Sequence, residues 1–211
     1  MTSGAKRKGA ARPKAWMSLW YFGWIWYMIK LWPPNHGGLS GGHLMKWRLD
    51  SQKALEVLLY VAKRQSDVYC ALKVIYFADK EHLSKYGRFM FGDRYIAMRA
   101  GPVPSGAYDM LKYARGDGHV VPEIPVRDAL AVKDDNICPL RPPNTDLLSE
   151  SEVECLDMIL ESVGGDWKAL YRKGHDDPAY RAAQLGGDMP LDVLIQSLPN
   201  GDVIAEHLLD Q

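Results

Sequence analysis

Residues 89–112 read Phe89-Met90-Phe91-Gly92-Asp93-Arg94-Tyr95-Ile96-Ala97-Met98-Arg99-Ala100-Gly101-Pro102-Val103-Pro104-Ser105-Gly106-Ala107-Tyr108-Asp109-Met110-Leu111-Lys112. A turn, a strand, a breaker and a helix start follow one another here. Gly92-Asp93 is turn chemistry: glycine supplies the tight bend and aspartate bonds to nearby backbone. Tyr95, Ile96 and Met98 predict a short strand, because aromatic and β-branched side chains suit a pleated, half-buried surface. Gly101-Pro102 is expected to stop that strand, since proline has no N–H for a ladder. Pro102 or Pro104 then suits a first helical turn, where the missing donor costs nothing. Ala107, Tyr108, Leu111 and Ala114 recur at helical spacing.

Two helices are expected ahead of this stretch. Asp50 or Ser51 is placed to cap the first, whose apolar face is Ala54, Leu55, Leu58, Val61 and Ala62, widened by Leu59. Lys63 and Arg64 complement its C-terminal dipole. Asp67 caps the second, which carries Val68, Ala71, Leu72, Ile75, Tyr76, Ala78, Asp79 and Leu83. Glu81 and Lys85 form an i,i+4 pair there, and Gly87 is its stop. A short connection makes the two helices antiparallel neighbours.

After the stretch, Leu130–Lys133 and Asn136–Leu140 flank Asp134-Asp135, which reads as a hairpin. Arg141-Pro142-Pro143-Asn144 is a rigid connector. Ser149 and Glu152 stand in capping-box spacing at the start of a helix whose face is Val153, Leu156, Ile159 and Leu160, and Gly164-Gly165 ends it. Trp167, Leu170 and Tyr171 open a short helix, His175-Asp176-Asp177 caps another, and two amphipathic helices close the chain.

The 26 basic and 26 acidic residues cancel, but they are unevenly placed. Residues 1–44 hold six basic residues and no acid, so residues 45–211 carry 20 basic and 26 acidic groups, net −6. That balance argues against broad phosphate-backbone binding, which needs a positive footprint. Cys70, Cys138 and Cys155 are odd in number and far apart, which reads as free thiols, with no metal role, in a reducing cytoplasm.

The chain divides into a basic, Trp-rich N-terminal extension, 1–44, and a domain, 45–211. The uncharged run Ala15–Ile29 is 15 residues, short of the roughly 20 that span a bilayer as a helix. Residues 1–44 admit three readings. They are a mis-assigned start, with translation beginning at Met45; a membrane-associated segment through residues 15–32, with Lys30 snorkelling; or an ordered part of the fold.

From Met45 onward the pattern resembles the Panacea domain of SocA-like antitoxins. Several runs carry the likeness: Lys53-Ala54-Leu55 with Leu59-Tyr60; Leu72-Lys73-Val74-Ile75-Tyr76-Phe77-Ala78-Asp79 with His82 and Gly87; and Gly92-Asp93-Arg94-Tyr95, Ala97, Gly101-Pro102-Val103-Pro104-Ser105 and Tyr108. Leu148 to Glu152, Leu170 and His175 with Pro178-Ala179-Tyr180 complete it, over about residues 46–206. The family usually has tryptophan where Tyr180 stands. The resemblance implies an α+β, mostly helical fold, compact, with a small antiparallel sheet or hairpin. It also implies a bacterial or prophage antitoxin of a toxin–antitoxin system, without cofactor. Such a protein binds a toxin encoded beside it, and one route in the family delivers the toxin to a ClpXP-type protease.

The chemistry-bearing residues support two classes of function beside each other. Arg and Tyr are favoured at interface cores, so a non-catalytic binding module would present the central stretch: Asp93, Arg94, Tyr95, Arg99, Pro102 and Tyr108. An enzyme would be built from Asp79, His82, Asp93 and His175. Both histidines have a plainer role: a helix-surface histidine with cap and ion-pair neighbours at His82, and helix-entry capping at His175-Asp176-Asp177. Gly101 to Gly106 could cradle an anion at a helix start, but no lysine follows at P-loop spacing, so a structural turn is the expectation.

Overall fold

The computed structural model describes residues 48–209, except Val121 and Gly164, all within the unit His43–Gln211. The readings of residues 1–44 and of a start at Met45 lie outside the described residues.

Helix α1 (Ser51–Ala62) starts at Asp50, whose side chain accepts the Lys53 N–H at 3.0 Å. Helix α2 (Val68–Tyr86) starts at Asp67, which accepts the Cys70 N–H at 2.8 Å, and stops at Gly87 in the left-handed region (φ 69°). Every apolar position expected on these two helices is buried. From Cys70 to Ala78 helix α2 is apolar on all sides but for Lys73, and a stretch of that kind must be enclosed. It is: α1, helix α5 (Glu150–Val163) and helix α6 (Trp167–His175) all pack on it, α5 most extensively. Burying each such Leu or Ile side chain is worth roughly 1.5–3 kcal/mol, so this helical stack dominates the stability.

The capping box forms at α5: the Glu152 side chain accepts the Ser149 N–H at 2.8 Å, and the Ser149 hydroxyl accepts the Glu152 N–H at 3.3 Å. The buried face of α5 is turned from the one expected. Glu152, Cys155, Leu156 and Ile159 are buried, while Val153 and Leu160 are only half-buried. The capping pair fixes the first turn, and Glu152 is drawn inward by Lys53 and Arg88 at 3.1 and 3.0 Å. Arg64 serves a tertiary contact, an ion pair to Asp157 on α5, instead of its own helix end.

The central stretch departs from expectation at one point. Gly101-Pro102 does not stop a strand. Strand β1 (Tyr95–Met98) turns at Arg99-Ala100 and returns as β2 (Gly101–Pro104), antiparallel, with Ala97 opposite Pro102 and Tyr95 opposite Pro104. Prolines are tolerated because backbone groups at those positions of β1 point the other way. The Ala97 N–H donates to Gly187 O (3.0 Å), Ala97 O accepts from Gly186 (2.7 Å), and Tyr95 O accepts from Met189 (2.8 Å). Residues 186–189 therefore line the far side of β1, and β2 is an edge, where proline belongs. Pro104 precedes the next helix as its N-cap, and Ser105 opens it as α3 (Ser105–Arg115).

The second hairpin forms as read. Strands β3 (Leu130–Lys133) and β4 (Asn136–Pro139) follow a one-turn helix α4 (Val126–Ala129). Asp134 and Asp135 both take positive φ (47° and 60°), as a two-residue hairpin turn with the right twist requires. Short helices α7 (Pro178–Ala182), α8 (Leu191–Gln196) and α9 (Gly201–Leu209) close the chain. The architecture is α+β and mostly helical, with two small antiparallel sheets. Cys70 and Cys155 are buried free thiols, pushed up by burial to about 12 and about 11, and Cys138 is free and half-buried. No helix among the described residues is long and apolar enough to cross a membrane.

Candidate functional site

The corner where β2 becomes α3 is held by one carboxylate. The first N–H groups of a helix have no partner inside it, and Pro104 offers no capping side chain. Asp93 supplies the cap from a distance. Its Oδ1 accepts the Arg94 and Gly106 N–H groups, both at 2.8 Å, and its Oδ2 accepts the Ala107 N–H at 2.9 Å. Burial pushes this carboxyl up to about 6 against the pull of those three N–H groups. The anion at this helix start is thus the protein's own. Gly106 is closely approached: a Cβ there would sit 2.4 Å from Leu49 Cδ2, the end of a flexible side chain, and 3.1 Å from Asp93 Oδ1.

A second buried carboxylate anchors the strand. Asp79 on α2 accepts the Met90 N–H at 2.6 Å and the Tyr95 hydroxyl, and burial pushes it up to about 7. The Tyr95 ring lies edge-on to Tyr76, centroids 4.9 Å apart. Tyr95 is therefore spent inside the fold, as are Asp93 and Pro102; Tyr108 is buried too, with Lys112 over its ring at 4.9 Å. Of the candidate partner-binding residues, Arg94 and Arg99 are exposed. Arg94 pairs with Asp188 at 3.5 Å. Beside it a cleft of about 190 Å³ opens between Leu49, Gly92, Asp93, Arg94, Ser105, Gly106 and Asp109.

Arg99 stands at the turn of the β1–β2 hairpin, and three helices grip that turn by its carbonyls. The Tyr180 hydroxyl on α7 donates to Met98 O at 2.9 Å. His175 Nε2 on α6 faces Arg99 O at 3.0 Å. Lys73 Nζ on α2 donates to Pro102 O at 2.5 Å. Tyrosine at 180 thus adds a hydroxyl bond to the turn. Lys73 is fully enclosed, over the Tyr69 ring at 5.0 Å, and burial pushes its ammonium down to about 7.

Asp79, His82, Asp93 and His175 do not assemble into one centre. No hydrogen bond joins any two of them. His82 is buried, with Nδ1 facing Arg88 O at 2.9 Å and Nε2 facing the Ser151 hydroxyl at 3.0 Å; burial lowers its pKa. His175 stacks on Tyr171, centroids 3.9 Å apart. Asp177, beside it, caps α7 and pairs with Lys80 at 2.7 Å. Among the described residues no group of three or more His, Cys, Asp or Glu side chains is placed to hold a metal ion.

Sequence reasoning missed Lys73 and Glu56. Glu56 lies on the buried side of α1 and receives Arg141 at 2.6 and 2.9 Å and the Asn144 N–H at 2.7 Å. For Lys73 a signal existed: a lysine inside an otherwise apolar run, Ala71 to Ala78. For Glu56 the partner lies 85 residues away and nothing local announces it.

No curated protein and no solved structure matches the chain significantly. The profile of a family described as antitoxin SocA-like, Panacea domain, matches residues 72–179. That span holds α2 from Leu72 onward, the whole hairpin-to-helix corner, the second hairpin, α5 and α6. By this match over half its length, the chain belongs to the antitoxin SocA-like, Panacea domain family.

Proposed function

We propose that the protein is an antitoxin that neutralises a cognate toxin by direct protein contact, and that the hairpin-to-helix corner forms part of the contact face. The observation that supports this reading is how the corner uses its polar groups. The buried carboxylates, Asp79 and Asp93, are committed to its own backbone and to Tyr95. What the corner leaves outward is Arg94, Arg99 and a small open cleft beside Arg94. Tight interfaces are anchored by a few side chains seated in such clefts, with arginine prominent among them. Asp93, Tyr95, Pro102 and Tyr108 position this surface, and Arg94 and Arg99 meet the toxin.

The test is rescue in cells. The open reading frame beside this gene is induced alone and together with the full chain, wild-type or carrying Arg94→Ala and Arg99→Ala. Lethality alone, growth with the wild type and lost growth with the folded double variant support the proposal. Undiminished rescue by that variant removes the corner from the contact face. Toxin levels in cells with and without a ClpXP-type protease then separate simple sequestration from delivery to proteolysis: an adaptor lowers toxin level only when the protease is present.

A further inference from the structure

We infer that the tip of the β1–β2 hairpin and the adjoining face of α6 bind an acidic segment of the partner polypeptide. The inference rests on the antitoxin reading and adds to it the place and charge of a second contact.

The first ground is rigidity. Turn carbonyls at Met98, Arg99 and Pro102 are held by Tyr180, His175 and Lys73, from three different helices. Helix α6 reaches the hairpin because residue 174 is glycine; a Cβ there would lie 2.9 Å from Pro102 Cδ. This turn is fastened on its inner side. A fastened tip loses little freedom on binding, and that lowers the cost of association.

The second ground is charge. Arg99 is exposed at the tip. On α6, Lys168 and Arg172 are one turn apart and His175 follows at the next, so the three share a face. Lys168 and Arg172 are exposed, and His175 is the residue that touches the tip. None of Arg99, Lys168 and Arg172 has an ion pair among the described residues, whereas Lys53, Lys80, Arg88, Arg115 and Arg141 are each paired. The acids nearby are otherwise engaged or set aside. Asp166 caps α6 through the Lys168 and Ala169 N–H groups, Asp177 is buried against Lys80, and Asp176 is exposed at the helix end.

The third ground is composition. Tyr171 stacks on His175 within this face, and Trp167 stands exposed at its start. Arginine beside large aromatic rings is the make-up of interface cores. The occupant is a polypeptide and not a nucleic acid because the patch is an island. Residues 45–211 are net −6, which opposes a long polyanion, while a short acidic segment meets the patch within a Debye length of about 8 Å.

The experiment measures binding of the full chain to the purified product of the neighbouring open reading frame, at low and high salt. The variant is Lys168→Glu with Arg172→Glu, both at exposed positions on α6 and apart from the arginines of the corner, with helicity checked by circular dichroism. Expected is a loss of about tenfold or more in affinity and a flatter salt dependence. Exchanging acidic for basic residues in the partner's matching segment is expected to restore binding to the variant. Affinity and salt slope equal to wild type overturn the inference and leave the antitoxin reading standing. Absence of any complex with the wild-type chain overturns both. Wild-type binding to duplex DNA that the charge reversals abolish, with toxin affinity untouched, also overturns it.

Discussion

Asp93 caps a helix it does not belong to: its Oδ1 accepts the Gly106 N–H at 2.8 Å across a full hairpin. The strand, the turn and the helix are thereby one mechanical piece. Replacing the carboxylate with alanine leaves the Gly106 and Ala107 N–H groups in a tight site without acceptors. Asp93→Ala is expected to cost about 2–4 kcal/mol, an N-cap loss together with unsatisfied buried donors. Urea unfolding followed by far-UV circular dichroism checks it. An effect near zero would mean the corner is held by something else.

Gly106→Ala probes the same corner from the other side. Its Cβ would overlap Leu49 Cδ2 at 2.4 Å, and that atom is the end of a flexible side chain. The single change is expected to destabilise by about 1–3 kcal/mol, as overpacking does. Leu49→Ala should recover part of that loss, so the double variant is more stable than the sum of the singles predicts. Additive behaviour in a thermal-denaturation cycle would show that Leu49 is not the obstacle.

Arg141 and Asn144 bind Glu56 from the loop before α5. Burial pushes the Glu56 carboxyl up, but its bonds to Arg141 and Asn144 outweigh that and hold it below its ordinary value. Its folded value being lowered, this carboxylate contributes stability above the usual glutamate pKa and loses it as pH falls through the folded value. Arg141→Ala is expected to cost about 1–3 kcal/mol, because the buried carboxylate loses its charged donor. The variant should also lose less stability than wild type on acidification below pH 4.5. Denaturant titrations at a series of pH values test both.

Two other buried groups are shifted toward their neutral forms. Asp79 is raised to about 7, so its contribution is greatest when it is protonated in both states and is lost as pH rises from near 4 through 7. Lys73 is lowered to about 7, so its burial weighs fully against folding below that pH and is relieved as pH rises toward 10.5. Asp79→Asn should flatten the decline between pH 4 and 7. Lys73→Met should stabilise at pH 6, below the lysine's folded value, more than at pH 9. Unfolding free energies across that range decide it, and a Lys73→Met effect independent of pH would refute the assignment.

The helices were legible because their signals are local. Asp50, Asp67 and Ser149 announce caps, Gly87 announces a stop, and the apolar spacing of α1 and α2 marks what is buried. Asp134-Asp135 likewise announces its hairpin. The strand at Gly101-Pro102 was not legible because proline's effect depends on which edge of the ladder it occupies. That is decided by Gly186, Gly187 and Met189, more than 80 residues away. The role of Asp93 was half legible: turn chemistry at Gly92-Asp93 is local, whereas its grip on Gly106 and Ala107 needs the hairpin to fold first. Charge at Arg94 and Arg99 was visible in the sequence, but that Tyr95, Pro102 and Tyr108 face inward is a property of packing.

The matched family span ends at residue 179, while the partner that lines the far side of β1 lies at residues 186–189. A fragment cut at the limit of the match would carry a ribbon with bare, unpaired amides along one margin. Such margins recruit whatever extended polypeptide is at hand, including other copies of the fragment. The tail after residue 179 thus covers that margin, and a fragment that omits it is expected to aggregate.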